Sequence, residues 1–360
     1  MTKFIQRKKT RPLTLGGLKL GNNAPIAVQS MTNTFTQDVQ ATTAQIGRLE
    51  KAGCEVVRVA VPDEDAARAI TLIKKKISIP LIADIHFDYR LAIASAEAGA
   101  DGLRLNPGNI GSNRKVKAVV DCAATLGTPI RIGVNAGSLE KELLDKYNGA
   151  TPAAMVESAQ RQVDLLASYG FQQIKVSLKA SDVPRTLEAY RLFSARSDIP
   201  LHVGVTEAGG IFSGIVKSSL GIGMLLAEGI GDTIRVSLTR DPVEEVRVGY
   251  EILRALDIRR RGPEIISCPT CGRTLINLFD IAEQVENALL THTVPIKIAI
   301  MGCVVNGPGE AREADIGIAG GDGVGILFKK GKVVKKFPQE QIVKVLLEEV
   351  DRYELQFTGK

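Results

Sequence analysis

Ile174-Lys175-Val176-Ser177-Leu178-Lys179 alternates without a break: Ile, Val and Leu share one face, while Lys, Ser and Lys share the other. Successive side chains of a strand point to opposite faces, so this segment reads as a strand with one wholly apolar side and one cationic side. The pattern recurs in Ile130-Arg131-Ile132-Gly133-Val134-Asn135, Val57-Arg58-Val59-Ala60-Val61, Leu103-Arg104-Leu105-Asn106 and Ile234-Arg235-Val236-Ser237-Leu238. Strand-like runs at 24–32, 81–86 and 201–207 complete a set of eight. Segments of helical period separate them, among them 43–52, 153–169 and 242–256. Eight strands alternating with helices up to residue 257 predict an α/β fold, a parallel (β/α)8 barrel of the TIM type. The competing doubly wound sheet lacks its signature, because no GxGxxG follows a strand.

In such a barrel the outer strand face packs on helices and must be apolar, so the cationic face turns into the lumen. Arg58, Arg104, Arg131, Lys179 and Arg235 then converge. Asp84, His86 and Glu207, from the third and seventh strands, offer partial counter-charge. Unpaired buried ions cost several kcal/mol each. A bound polyanion, most simply a phosphate or diphosphate, resolves the imbalance. The strand C-terminal ends, where Asn135 and Ser237 also fall, are where these barrels place their sites. Glu207 is a candidate acid–base group, or only a lysine's partner. His86 alone decides nothing, and Cys54 and Cys122 read as inert core thiols.

From Ile258 the texture changes. The segment 258–264 contains Arg259-Arg260-Arg261-Gly262-Pro263, a charged, turn-forming linker between a domain at 1–257 and one at 265–360. The second domain reads as α+β. It has a helix at 278–290, a strand at 296–301, a hairpin at 325–336 turning at Lys330-Gly331, and a closing helix at 339–353. The glycine-rich 316–325 reads as a set of turns, since no Gly-Lys-Ser/Thr follows. Cys268-Pro269-Thr270-Cys271 and Gly302-Cys303 lie in this domain. A Cys-x-x-Cys alone suits zinc, a redox disulfide or an iron–sulfur cluster; a third Cys favours metal. No fourth Cys is near. Closing a zinc site would fall to His292, the only local histidine. An iron–sulfur cluster accepts a non-thiolate at one iron, and Glu310, after Asn306-Gly307-Pro308-Gly309, is placed to provide it.

Composition bounds the rest. The chain has 360 residues, a formal net charge of +6 spread along its length, 4% aromatics and no Trp, which disfavours a nucleic-acid surface. No stretch of eighteen apolar residues occurs, and the basic N-terminus leads into Gly16-Gly17 without an apolar core, so neither a membrane span nor a secretory signal is expected. Five cysteines without an export signal suggest reduced thiols in the cytoplasm.

Cys268-Pro269-Thr270-Cys271-Gly272-Arg273 together with Gly302-Cys303-Val304-Val305-Asn306-Gly307-Pro308-Gly309-Glu310 closely resembles the bacterial 4-hydroxy-3-methylbut-2-enyl diphosphate synthases of the methylerythritol phosphate route. Gln29-Ser30-Met31-Thr32-Asn33-Thr34, and the segments 103–109, 131–138 and 205–210, look like the same family. The resemblance implies a barrel followed by an iron–sulfur domain similar to part of sulfite and nitrite reductases. It implies a 4Fe–4S cluster on Cys268, Cys271, Cys303 and Glu310. It implies a cyclic diphosphate substrate held by Arg58, Arg104, Arg131, Lys179, Asn135 and Ser237, with Glu207 as proton donor. Reduced flavodoxin or ferredoxin would deliver electrons, and the site would be shared across a homodimer. The linker points the same way: fully extended it spans at most about 25 Å, roughly the height of the barrel wall. A phosphate-binding aldolase or synthase with a structural zinc domain is the alternative. A sirohaem-linked reductase is a further one, but it needs four cluster cysteines.

Overall fold

The computed structural model describes residues 5–303 and 311–358 and divides into two compact units, Met1–Arg259 and Arg260–Lys360. The chain opens with a short antiparallel hairpin, β1 (Leu13–Leu15) and β2 (Leu18–Leu20), turning at Gly16-Gly17. Eight parallel strands follow: β3 (Ala27–Met31), β4 (Val56–Ala60), β5 (Leu81–Asp84), β6 (Gly102–Leu105), β7 (Ile130–Asn135), β8 (Ile174–Lys179), β9 (His202–Val203) and β10 (Thr233–Ile234). They pair in sequence order, β10 also pairs with β3, and the Val176–Leu201 bridge joins β8 to the start of β9, closing the barrel. The expected strands at 201–207 and 234–238 form a shorter ladder than their pattern suggested. At Gly204 a Cβ would lie 2.4 Å from the Arg235 carbonyl and 2.8 Å from Lys179 Nζ, so the backbone runs too close for any larger residue.

Period-3.6 segments return the chain after each strand. The helices Val39–Ala52, Glu64–Lys74, Tyr89–Glu97, Val183–Arg196 and Pro242–Ala255 each begin on an aspartate, Asp38, Asp63, Asp88, Asp182 and Asp241, whose carboxylate accepts from a first-turn N–H. Outward strand residues such as Val57, Val59, Leu103, Ile132 and Val176 pack with these helices in one continuous core. The lumen has a separate floor, where Leu13, Leu15 and Leu20 of the hairpin meet Ala27, Val56 and Ile82. Above the floor the inward positions become charged. No helix among the described residues is long and apolar enough to cross a membrane.

The units divide inside the segment read as linker. Arg259 belongs to the first unit, anchored to the Ile26 carbonyl at 2.5 Å and to Glu55 at 2.7 Å. Glu264 is already in β11 (Glu264–Ser267). The second unit is a five-stranded sheet in which β11, β12 (Lys297–Met301) and β13 (Ile316–Gly320) run parallel, then β14 (Val324–Lys329) and β15 (Lys332–Pro338) antiparallel. Helices Leu278–Leu289 and Ile342–Thr358 cover one face, burying Val285, Leu289, Leu346 and Val350 on Ile298, Ile300 and Ile318. One expectation fails here: 316–320 is a central strand rather than turns. Ile316 and Ile318 supply the period-2 apolar signal. The strand's glycines serve packing: a Cβ at Gly320 would lie 2.3 Å from Ile276, and one at Gly317 3.1 Å from Phe328.

Candidate active site

Strand parity carries the cations inward. Arg58, Arg104, Arg131, Lys179 and Arg235 all line one cavity of about 240 Å³ at the C-terminal ends of the barrel strands. Asp84, His86, Asn135 and Ser237 line it as expected, and Ser177 and Thr206 join them. Gly133 makes room for this traffic, since a Cβ there would lie 2.5 Å from Arg104 Nε.

The charges are not evenly matched. Asp84 Oδ1 accepts from Arg104 Nη1 at 3.2 Å, while its Oδ2 lies 3.7 Å from Arg58 Nε and 3.5 Å from His86 Nε2. Burial pushes the Asp84 carboxyl up, yet Arg58, His86 and Arg104 outweigh it and hold it well below the usual carboxylate range. Arg235 is served by Glu245, at 3.2 Å and 3.3 Å to its two oxygens. Glu245 also accepts from Ser30 Oγ at 2.9 Å and from the Leu238 N–H at 3.1 Å. Among the described residues Arg131 and Lys179 have no such carboxylate. Arg131 Nε and Nη1 are buried without a hydrogen-bond partner among the described residues, and Lys179 Nζ meets only His202 Nε2 at 3.2 Å. Burial, then mutual repulsion, pulls Arg58 down to about 10 and holds Arg131 and Lys179 well below their ordinary values. These strained cations are poised for an anion, which would repay both their missing hydrogen bonds and their missing counter-charge.

Glu207 is not among the residues lining the cavity. It is exposed, next to the lining Thr206, with a left-handed backbone (φ 51°) that a side chain of its kind seldom adopts. The counter-charge expected of it comes from Glu245. Sequence reasoning missed Glu245 and His202, although Glu245 sits in the otherwise apolar stripe Val246, Gly249, Leu253 of its helix, a detectable oddity.

In the second unit Cys268 follows β11 and Cys303 follows β12, the C-terminal ends of adjacent parallel strands. Cys268 and Cys303 are half-buried and Cys271 is exposed. The Gly302 N–H donates to Cys268 Sγ at 3.4 Å, and the Arg273 backbone N–H and side chain lower the Cys271 thiol. Three soft donors of this kind suit iron–sulfur or zinc. His292, the residue that zinc would need, faces Asp351 at 3.4 Å and Glu354 at 3.5 Å instead. Three thiols beside an engaged histidine are a donor set that an iron–sulfur cluster can use. Glu310 lies outside the described residues. Cys54 is buried, its thiol pushed up to about 12 by burial.

Residues 10–250 match the GcpE TIM-barrel domain and 264–352 the GcpE protein C-terminal domain. A protein of Caldanaerobacter subterraneus subsp. tengcongensis named 4-hydroxy-3-methylbut-2-en-1-yl diphosphate synthase (flavodoxin) is 60% identical over 346 residues, covering 96% of this chain and 98% of its own. One of the same name from Desulfotalea psychrophila is 56% identical over 360 residues, covering 99% of each chain. A third, from Geobacter sulfurreducens, is 58% identical over 346 residues, 96% of this chain and 98% of its own.

Proposed function

The chain belongs to the GcpE family, and from that premise we propose that it reductively opens 2-C-methyl-D-erythritol 2,4-cyclodiphosphate to (E)-4-hydroxy-3-methylbut-2-enyl diphosphate. The observation that carries this reading is the barrel cavity, where buried Arg131 and Lys179 lack a carboxylate partner among the described residues and await an anion. Arg58, Arg104, Arg131, Lys179 and Arg235 grip the diphosphate, with Asn135 and Ser237 orienting its ester oxygens. Asp84 and Glu245 keep three of the guanidiniums fixed before the substrate arrives, so little ordering is left to the binding step. Glu207 donates the proton with which a hydroxyl leaves as water; its strained backbone beside Thr206 supports that assignment.

Cys268, Cys271, Cys303 and Glu310 would hold a 4Fe–4S cluster. When bound, the cluster supplies single-electron chemistry that no side chain of the chain can perform. Reduced flavodoxin, or ferredoxin, is the donor, and two electrons with one proton balance the ring opening and the loss of water. The residues 1–257 and 265–360 thus divide the work between substrate and electrons in a cytoplasmic homodimer.

Anaerobic isolation tests the reading. The protein should be brown, carry close to four iron and four sulfide per chain, turn over the cyclic diphosphate with reduced flavodoxin, and lose iron in Cys271→Ser. A colourless protein holding one zinc would overturn it.

A further inference from the structure

Beneath the cavity lies a cation that this scheme leaves unused. Lys175 shares the inward face of β8 with Ser177 and Lys179 but sits deeper, below the residues that line the cavity. It is the register partner of Arg131 on β7, which pairs with Arg104 on β6, which pairs with Asp84 on β5. One row across the barrel wall thus carries three cations and a single carboxylate, and Arg104 already donates to that carboxylate at 3.2 Å. Arg131 and Lys175 are each 2% exposed, and Lys175 Nζ has no hydrogen-bond partner among the described residues.

The other neighbours offer no relief. Asp232, preceding β10, is engaged elsewhere: Thr10 Oγ1 at 2.9 Å, Arg7 at 3.3 Å and the Leu201 N–H at 2.9 Å share its oxygens. On β9, His202 turns Nδ1 to Thr233 Oγ1 at 2.9 Å and Nε2 to Lys179. Like charges in register on adjacent strands repel. Burial first, then Arg131, brings Lys175 down to about 7 against the weaker pull of Asp232.

We propose that Lys175 is a proton acceptor coupled to ligand binding: uncharged while the cavity is empty, it takes a proton from solvent when a diphosphate settles above it. The ligand's negative charge offsets the repulsion from Arg131, and the ammonium becomes the favoured form. Lys175 does not touch the ligand. It acts through Arg131, as a positioning residue. The inference rests on the diphosphate reading of the cavity.

Calorimetry of the cyclic diphosphate binding to the cluster-loaded, full-length enzyme, without electron donor, counts the protons. At pH 8 it is repeated in buffers of different ionisation enthalpy. Each phosphorus of this ligand keeps one ionised oxygen and no second acid group near neutrality, so protons taken up go to the protein. A group near 7 is about nine-tenths deprotonated at pH 8, so Lys175 should contribute about 0.9 proton, and affinity should fall by up to about tenfold per pH unit above 7. In Lys175→Met the uptake should drop by that amount and the pH slope flatten. Any remainder belongs to Lys179 and His202, which burial and neighbouring cations also hold low. Equal uptake in wild type and variant overturns the proposal. Should the variant not fold, lysine ¹³Cε resonances of the wild type decide: one must titrate near 7 in the empty protein and shift up with ligand, and its absence is equally fatal. Failure of the wild type to bind the diphosphate at all would overturn the functional reading itself, whereas binding without Lys175-dependent uptake overturns only the coupling.

Discussion

Arg131 concentrates the logic of the site in one side chain. Its Nε and Nη1 are buried and unpartnered, so the guanidinium fork is the part of the lumen most in need of ligand oxygens. Arg131→Lys keeps the charge but loses the planar fork; diphosphate binding should weaken about tenfold, with the fold intact by circular dichroism. Glu245→Gln is a different kind of lesion, leaving the Arg235 guanidinium without its carboxylate. It should cost about 3 kcal/mol in urea unfolding, the scale on which breaking one side of a buried pair is felt. Lys175 gives stability a pH dependence whose sign is fixed. Its folded value, about 7, lies below that of an ordinary lysine, so across the window above 7 the unfolded chain holds a proton that the fold does not. Wild-type stability should therefore rise relative to Lys175→Met between pH 7 and 10, by up to about 1.4 kcal/mol per unit, in paired urea titrations. The cations were legible in the sequence because parity alone aims them inward. Glu245 was not, because its partner strand lies in another element and only the folded barrel brings helix Pro242–Ala255 against Arg235.

Elements show where local pattern suffices and where it does not. Strands β7 and β8 occupy the bounds their alternation predicts, since an unbroken apolar face has one way to meet the helices outside. The N-terminal hairpin left almost no signal: three residues per strand around Gly16-Gly17, useful only because the barrel end is open to be plugged. Its weight is nonetheless large. Leu15 is 2% exposed among Ala27, Val56 and Ile82, and the absence of a side chain at Gly102 leaves room for its Cδ1, which an added Cβ would approach to 2.6 Å. Leu15→Ala should destabilise by about 3 kcal/mol through a cavity in the lumen floor, measured as a lowered urea midpoint with an unchanged slope. Strand β13 was misread for the opposite reason. Its glycines look like turn residues locally, whereas their small size serves packing by Ile276 and Phe328 from distant parts of the chain.

At the scale of the whole molecule the question is whose cysteine domain serves which cavity. Arg259 ends the first unit anchored to Ile26 and Glu55, residues that precede β3 and β4, so the chain leaves the barrel at the strands' N-terminal end. The cavity is at the other end, and only 260–263 separate the anchor from β11, a reach of about 14 Å. The cavity end exposes Phe35 and Phe87 on loops and Phe212 in the first turn of helix Ile211–Ala227, by 80%, 71% and 86%, an apolar rim unusual for a face left to water. In the proposed homodimer the cysteine domain of a second copy would cover this rim while receiving the same service in return, through one two-fold axis. Two inactive chains then test the arrangement: Glu207→Gln, with sound cysteines, and Cys271→Ser, with a sound cavity. Neither should turn over the cyclic diphosphate alone. Mixed dimers, co-expressed with different tags and doubly purified, should regain up to about half of wild-type activity, because one of two shared sites unites an intact cavity with an intact cluster. Doubly tagged dimers that form and stay inactive would mean that each chain serves its own cavity.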